Sequence, residues 1–204
     1  MLKRILHELK HHFWYSFAGV FLGSLLLFFS PKFTANGNYH FFYFLHPMHV
    51  FFSAYATVSL YKIIHKDNLK FWQLSMVIIL AAYLIPVISD SLIPYLGESL
   101  LKMPFSEAHI GFLEEPLIVN GVVLLGVLVG WFRPVKYIPH FIHIFVSSLA
   151  SVFHVLMASA VFNFDISIYL IVFVFLIFAV WIPCATGDVV IPLIFKENKK
   201  SHEI

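Results

Sequence analysis

Charged side chains are scarce in this chain, because only 12% of its 204 residues are Asp, Glu, Lys or Arg. A soluble domain carries about 25%, so the sequence lacks the polar surface that keeps a folded domain in water. Hydrophobic residues make up 60% of the chain, and its mean hydropathy is +0.88. The shortage of charge therefore excludes an ordinary soluble domain and predicts an integral membrane protein with the lipid bilayer as its main partner.

Cysteine is nearly absent, and Cys184 is the single one. One cysteine excludes an internal disulfide, so cysteine usage does not indicate a redox compartment. The sequence has no Gly-rich phosphate loop, no GxSxG and no HExxH. The small net charge of +2 offers no support for a nucleic-acid partner. The first apolar run lacks a small-residue cleavage site after it, so we expect a retained span rather than a signal peptide.

Six apolar stretches approach the roughly 20 residues that a bilayer span requires. They predict an all-α membrane protein with six transmembrane helices, at about 13–30, 39–62, 71–95, 116–132, 138–162 and 167–195.

Basic residues are distributed unevenly among the predicted loops, and basic residues mark the cytoplasmic side. Only Lys32 and Lys102 lie on one side. The opposite side holds Lys3, Arg4, Lys10, Lys62, Lys66, Lys70, Arg133, Lys136, Lys196, Lys199 and Lys200. We therefore expect both termini in the cytoplasm and the protein in the cell (inner) membrane.

Residues 1–100 and 101–204 read as two copies of one three-helix unit. Leu22-Gly23 matches Leu125-Gly126, and a proline follows each glycine after eight residues. The third helices match through an Ile-Pro step, an aspartate (Asp90 or Asp188) and a second proline. Because each copy has an odd number of spans, the copies should cross the membrane in opposite directions, as in the inverted repeats of secondary transporters.

The second helix of each predicted copy carries the pattern HxxHxxxSxxx[S/T]. At helical spacing these polar residues form one stripe. A stripe this polar should face protein or water rather than lipid. Hydrogen bonding between helices is the simplest alternative role for its Ser, Thr and His side chains.

Two histidines three residues apart share a helix face, where they can share a metal ion, and a neighbouring Asp can add a carboxylate. Imidazole with carboxylate suits Zn, Mn, Fe, Ni or Cu rather than Ca or Mg. We predict one cluster near the outer face, His46, His49 and Asp90, and one near the inner face, His140, His143 and Asp188. The path between them is predicted to be lined by Ser53, Thr57, Ser147, Ser151, His154 and Cys184.

These features favour a secondary transporter, rather than an enzyme, that moves a divalent transition-metal cation between the two repeats. Protons are a candidate coupling ion, because histidine titrates near neutral pH. A chain this short is compatible with a homodimer.

Two other functions use the same residues. An intramembrane zinc hydrolase would activate water against a lipid amide or ester. Its His, Asp and Ser set resembles that of the alkaline ceramidase and adiponectin-receptor hydrolases, although those have seven spans and an HxxxH pair, against six and HxxH here. A b-type haem redox protein would need axial imidazoles from two spans, which the spacing of three residues does not favour.

Overall fold

A computed structural model of the chain describes residues 2–28, 35–65, 70–135, 138–159 and 165–191, but not the side chains of some helix-end residues, including His140 and Asp188. Within these ranges the chain forms helices joined by short connections and contains no strand. The all-α prediction is confirmed for this part of the chain.

The long helices occupy the positions of the predicted apolar stretches. In chain order they are α1 (Leu2–Phe28), α2 (Ala35–Ile64), α3 (Phe71–Leu100), the short α4 (Gly111–Glu114), α5 (Pro116–Phe132), α6 (Ile138–Ala158) and α7 (Ile166–Ala185), which continues as a π-helical turn, Thr186–Val190.

Three of these helices are long and apolar enough to cross a membrane, namely α3, α7 and the Phe141–Ala158 part of α6. Helix α5 is apolar but shorter. Large apolar side chains also face outward, and Leu117 and Phe71 are 89% and 84% exposed. A surface with so many large apolar side chains is favourable in lipid and unfavourable in water, so the chain has the character of a membrane protein.

Helix α3 is not a regular α-helix, because it contains two π-helical turns, Ile79–Leu84 and Ile88–Leu92. Each of these turns ends two residues before a proline, Pro86 or Pro94. A proline ring clashes with the carbonyl four residues earlier, and a wider turn is one way to accommodate it. The turn that follows α7 also ends two residues before a proline in the sequence, Pro192. Three prolines therefore follow a widened turn in the sequence, whereas Pro183 lies inside the α-helical part of α7.

Helices α2 and α6 pack along each other at the centre. Helix α1 packs against α6, and helix α5 packs against α2. Helix α1 packs on α6, where a Cβ added to Gly23 would lie 2.9 Å from Cγ2 of Val152. Helix α5 packs on α2, where a Cβ added to Gly126 would lie 2.5 Å from the carbonyl oxygen of Phe51. These glycines let the helix backbones approach closely, as in other membrane helix pairs.

Two helix boundaries differ from the predicted ones, and both changes bury a titratable residue. Helix α3 continues to Leu100 rather than ending near residue 95, so Glu98 is a buried helix residue and not a loop residue. Helix α1 begins at Leu2 rather than near residue 13, and His12 is 2% exposed within it. Hydropathy underestimates the length of both helices. A polar residue that packs inside a bundle lowers the mean hydropathy of its sequence window as much as an exposed polar residue does.

Candidate metal-binding site

Asp90 is the anchor of a buried polar cluster, and it lies in the second π-helical turn of α3 with no exposed surface. Its Oδ2 atom lies 3.0 Å from Nδ1 of His46 and 2.7 Å from Nδ1 of His49. Its Oδ1 atom accepts hydrogen bonds from Ser147 at 2.7 Å and Ser89 at 2.9 Å. The carboxylate thus has two hydrogen-bond partners on α2, one on α6 and one on its own helix.

These hydrogen bonds determine which nitrogen of each histidine remains for a ligand. An ionised carboxylate only accepts hydrogen bonds, so His46 and His49 both donate from Nδ1. Carboxylates bind metal-ligating histidines in this way, because the bond fixes the ring and leaves Nε2 for the metal. In this arrangement Asp90 contacts both imidazoles through Nδ1, and its role as the third ligand stays a prediction.

His49 directs its Nε2 atom toward residues of the other half of the chain. Nε2 lies 3.9 Å from Sγ of Cys184 on α7. The His49 ring also stacks on His143 of α6, with centroids 5.2 Å apart and planes 11° apart. One ligand atom from each of these three buried residues lies within 4.8 Å of the other two. Zinc and copper bind imidazole and thiolate together, so these three side chains are candidate ligands for such an ion.

His46 faces a different neighbour. Its Nε2 atom is buried and has no hydrogen-bond partner. A Cβ added to Gly111, at the start of α4, would lie 2.7 Å from this nitrogen. The two histidines of the first predicted cluster therefore share Asp90 through Nδ1 but present Nε2 to different surroundings.

The second predicted cluster is only partly described. His143 is buried, and its ring stacks on that of His49. The side chains of His140 and Asp188 lie outside the described part of the structure. The two predicted copies meet in the middle because α2 and α6 pack along each other and bring their stripes together.

The predicted path residues have several roles. Ser53 donates to the carbonyl of Ala81 at 2.8 Å, and Ser151 donates to that of Ser89 at 3.0 Å. Both carbonyls belong to π-helical turns of α3. These two serines therefore make hydrogen bonds between helices, which is the simpler alternative to lining a path. Thr57 is buried and its Oγ1 atom has no hydrogen-bond partner.

His154 lies outside this cluster, where its Nδ1 atom is 2.7 Å from Oε1 of Glu98. Glu98 lies beyond the predicted end of the third span, at about residue 95, so the hydropathy pattern does not mark it as a buried residue. A signal was present, since Asp90, Pro94 and Glu98 recur every four residues and share a helix face. The structure buries all three residues.

Axial haem ligation does not fit the stacked pair. Axial imidazoles bind opposite faces of a porphyrin, whereas His49 and His143 stack directly on each other.

No family model, no curated protein and no solved structure matches this chain.

Proposed function

We propose that this protein is a secondary transporter for a divalent transition-metal cation, held at one site between two inverted three-helix repeats. One observation carries the proposal, namely that the candidate ligands come from both halves of the chain. His49 belongs to residues 1–100, whereas His143 and Cys184 belong to residues 101–204. Transporters with inverted repeats bind their substrates at the repeat interface. A thiolate in the set favours zinc or copper over manganese.

The packing of the helices supports the inverted repeat. Gly23 and Gly126, which match in the sequence, both make close helix contacts, α1 with α6 and α5 with α2. The first helix of each half thus packs on the second helix of the other half, as two-fold related units would. The third helices also correspond, because Asp90 and Asp188 both lie in π-helical turns. In this proposal all six long helices cross the cell membrane and both termini are cytoplasmic.

Metal content measured by elemental mass spectrometry tests the site. We expect purified wild type to carry a transition metal after loading, and Cys184→Ser and His143→Ala to lose most of it. His40→Ala is the matched control, because His40 is exposed near the end of α2 away from the cluster. Equal metal content in all four proteins would contradict the proposed site.

Metal flux into liposomes tests transport itself. Wild type and His40→Ala should move the ion down its gradient, and the two ligand variants should not. The candidate ligands come from one chain, so this proposal requires no second copy. Binding without flux would reject transport and leave the site as a metal centre of another kind.

A zinc-dependent lipid hydrolase is the second candidate, and one observation favours it. The cluster of His49, His143 and Cys184 is a three-ligand set that can leave a fourth position for water, as in catalytic zinc sites. A single shared site also suits an enzyme better than the two oppositely oriented sites expected from the sequence. Release of fatty acid from lipid amides or esters by wild type, lost in Cys184→Ser, would favour this function over transport.

A further inference from the structure

Glu98 and His154 form a second buried polar pair that the proposed metal site does not use. Both side chains are 1% exposed, and Oε1 of Glu98 lies 2.7 Å from Nδ1 of His154. The remaining polar atoms, Oε2 of Glu98 and Nε2 of His154, are buried without a hydrogen-bond partner. Polar side chains that only hold two helices together normally have hydrogen-bond partners for all of their buried polar atoms. Two unsatisfied atoms on one pair therefore indicate a site that binds something further.

The end of α3 fixes the backbone at Glu98. Met103 N–H donates to the carbonyl of Glu98 at 3.0 Å, and Lys102 N–H donates to that of Ser99 at 3.1 Å. Together with the positive φ of 54° at Lys102, these bonds form a Schellman motif. Glu98 also lines a cavity of about 90 Å³, which exceeds the roughly 30 Å³ that one water occupies in the liquid.

A series of polar side chains leads from this pair to the surface. The His109 ring lies against the His154 ring, with centroids 5.4 Å apart. Nδ1 of His109 is 3.0 Å from the hydroxyl of Tyr43, and Tyr43 donates a hydrogen bond to Glu114. Exposure rises outward, from 1% at His154 to 17% at His109 and 36% at Glu114.

The pair is separated from the metal cluster by an aromatic ring. Phe42 is fully buried, stacks on His46 at 5.5 Å between centroids and contacts His154 edge-on at 5.2 Å. On the other side, α7 contributes only apolar residues to the cavity, among them Val172 and Phe175. His109 is therefore the one further titratable side chain with a described contact to this pair.

We propose that Glu98 and His154 form a proton-binding site, reached from the surface through Glu114, Tyr43 and His109. With the Glu98 carboxylate accepting from Nδ1–H of His154, the pair carries one negative charge. One proton taken from water adds to Nε2 of His154 or Oε2 of Glu98 and makes the pair neutral. Release reverses this step and returns the proton to water. That this proton drives metal movement rests on the proposed function, whereas proton binding does not.

Infrared difference spectroscopy after a pH jump tests proton binding without any metal. We expect wild type to show a pH-dependent carboxyl band that is lost in Glu98→Gln, kept in Glu98→Asp and displaced along the pH axis in His154→Gln. Glu107→Gln and His40→Gln, which alter exposed residues, are the matched controls. A band that persists unchanged in folded Glu98→Gln would overturn the proposal.

Liposome transport tests the coupling. Glu98→Gln should retain bound metal and metal–metal exchange but lose the accumulation that a pH gradient drives in wild type. Accumulation equal to wild type would reject coupling through this pair while leaving transport intact. If wild type moves no metal, the proposed function fails, and the infrared result alone decides the proton site.

Discussion

At the scale of single residues, Asp90 determines how the neighbouring histidines are used. Its two oxygens receive donors from His46, His49, Ser89 and Ser147. A buried carboxylate in lipid is stable only when such donors satisfy it. These bonds use Nδ1 of each histidine, and Nε2 of His49 lies 3.9 Å from Sγ of Cys184, while the His49 ring stacks on His143.

Asp90→Asn should weaken both the fold and the proposed metal site. An amide offers one oxygen in place of two and sets its NH₂ group against existing donors. We expect metal affinity to fall about 10–100-fold, as for other residues that orient metal ligands. Stability should fall by about 2–3 kcal/mol, since hydrogen bonds to a buried charge are lost. Chelator competition and the thermal midpoint in detergent measure the two effects.

Asp165→Asn is the matched control for this substitution. Asp165 is exposed and caps α7 by accepting from the N–H of Ile168 at 2.8 Å. Asn caps helices about as well as Asp, so both metal affinity and thermal midpoint should stay at wild-type values. Equal losses in both variants would contradict the special role of Asp90.

Lys102→Gly should stabilise the protein. Lys102 adopts a φ of 54° at the end of α3, in the left-handed region that glycine occupies without a steric penalty. We expect the free energy of unfolding to rise by up to about 1 kcal/mol. The removal of the steric penalty at this φ outweighs the greater conformational entropy of glycine in the unfolded chain. A thermal midpoint below that of wild type would show that the Lys102 side chain contributes more than its backbone costs.

At the scale of helices, prolines and glycines determine the packing around the site. The π-helical turns before Pro86 and Pro94 widen α3, and Asp90 lies in the second of them. Serines on α2 and α6 satisfy carbonyls of these turns. The glycines of α1 and α5 set the distance to the central pair, α2 and α6.

Gly126→Ala should separate α5 from α2. The new Cβ would lie 2.5 Å from the carbonyl oxygen of Phe51, which is backbone and cannot move aside independently. Such overpacking costs about 1–3 kcal/mol, visible as a lower thermal midpoint. Gly121→Ala on the same helix is the control, because a Cβ there meets nothing within 4 Å. Gly121→Ala should be neutral or stabilising by up to about 1 kcal/mol.

At the scale of the whole molecule, the two halves of the chain depend on each other. The first helix of each half packs on the second helix of the other, and the candidate ligands are divided between the halves. Neither half holds His49, His143 and Cys184 together. Any change that shifts one half against the other must therefore alter the candidate metal site.

Cysteine labelling tests the proposed orientation. In a Cys184→Ser background, Glu107→Cys should react with a membrane-impermeant maleimide on intact cells. Arg133→Cys should react only after the membrane is permeabilised, because its loop is expected on the cytoplasmic side. Both positions are exposed, so accessibility within the protein does not limit the reaction. The reverse pattern would invert the proposed topology.

Some parts of the site were predictable and others were not. The helical stripe predicts that His46 and His49 share a face. The proline-flanked Asp90 is the predicted partner on the next helix, and the structure brings it within hydrogen-bond distance of both. Glu98 was missed because hydropathy places α3's end too early. Cys184 was assigned to the path, and the structure puts it beside His49.

The sequence by itself determined the helical class, the membrane character and the duplicated pattern of His, Ser and Asp, because periodicity and composition are local properties of the chain. Only the tertiary structure decided that Asp90 binds both histidines of α2 and that His49 meets His143 and Cys184. Those contacts depend on which faces of α2, α3, α6 and α7 pack together. Helix packing is set by long-range shape complementarity, which the spacing of residues within one helix does not encode.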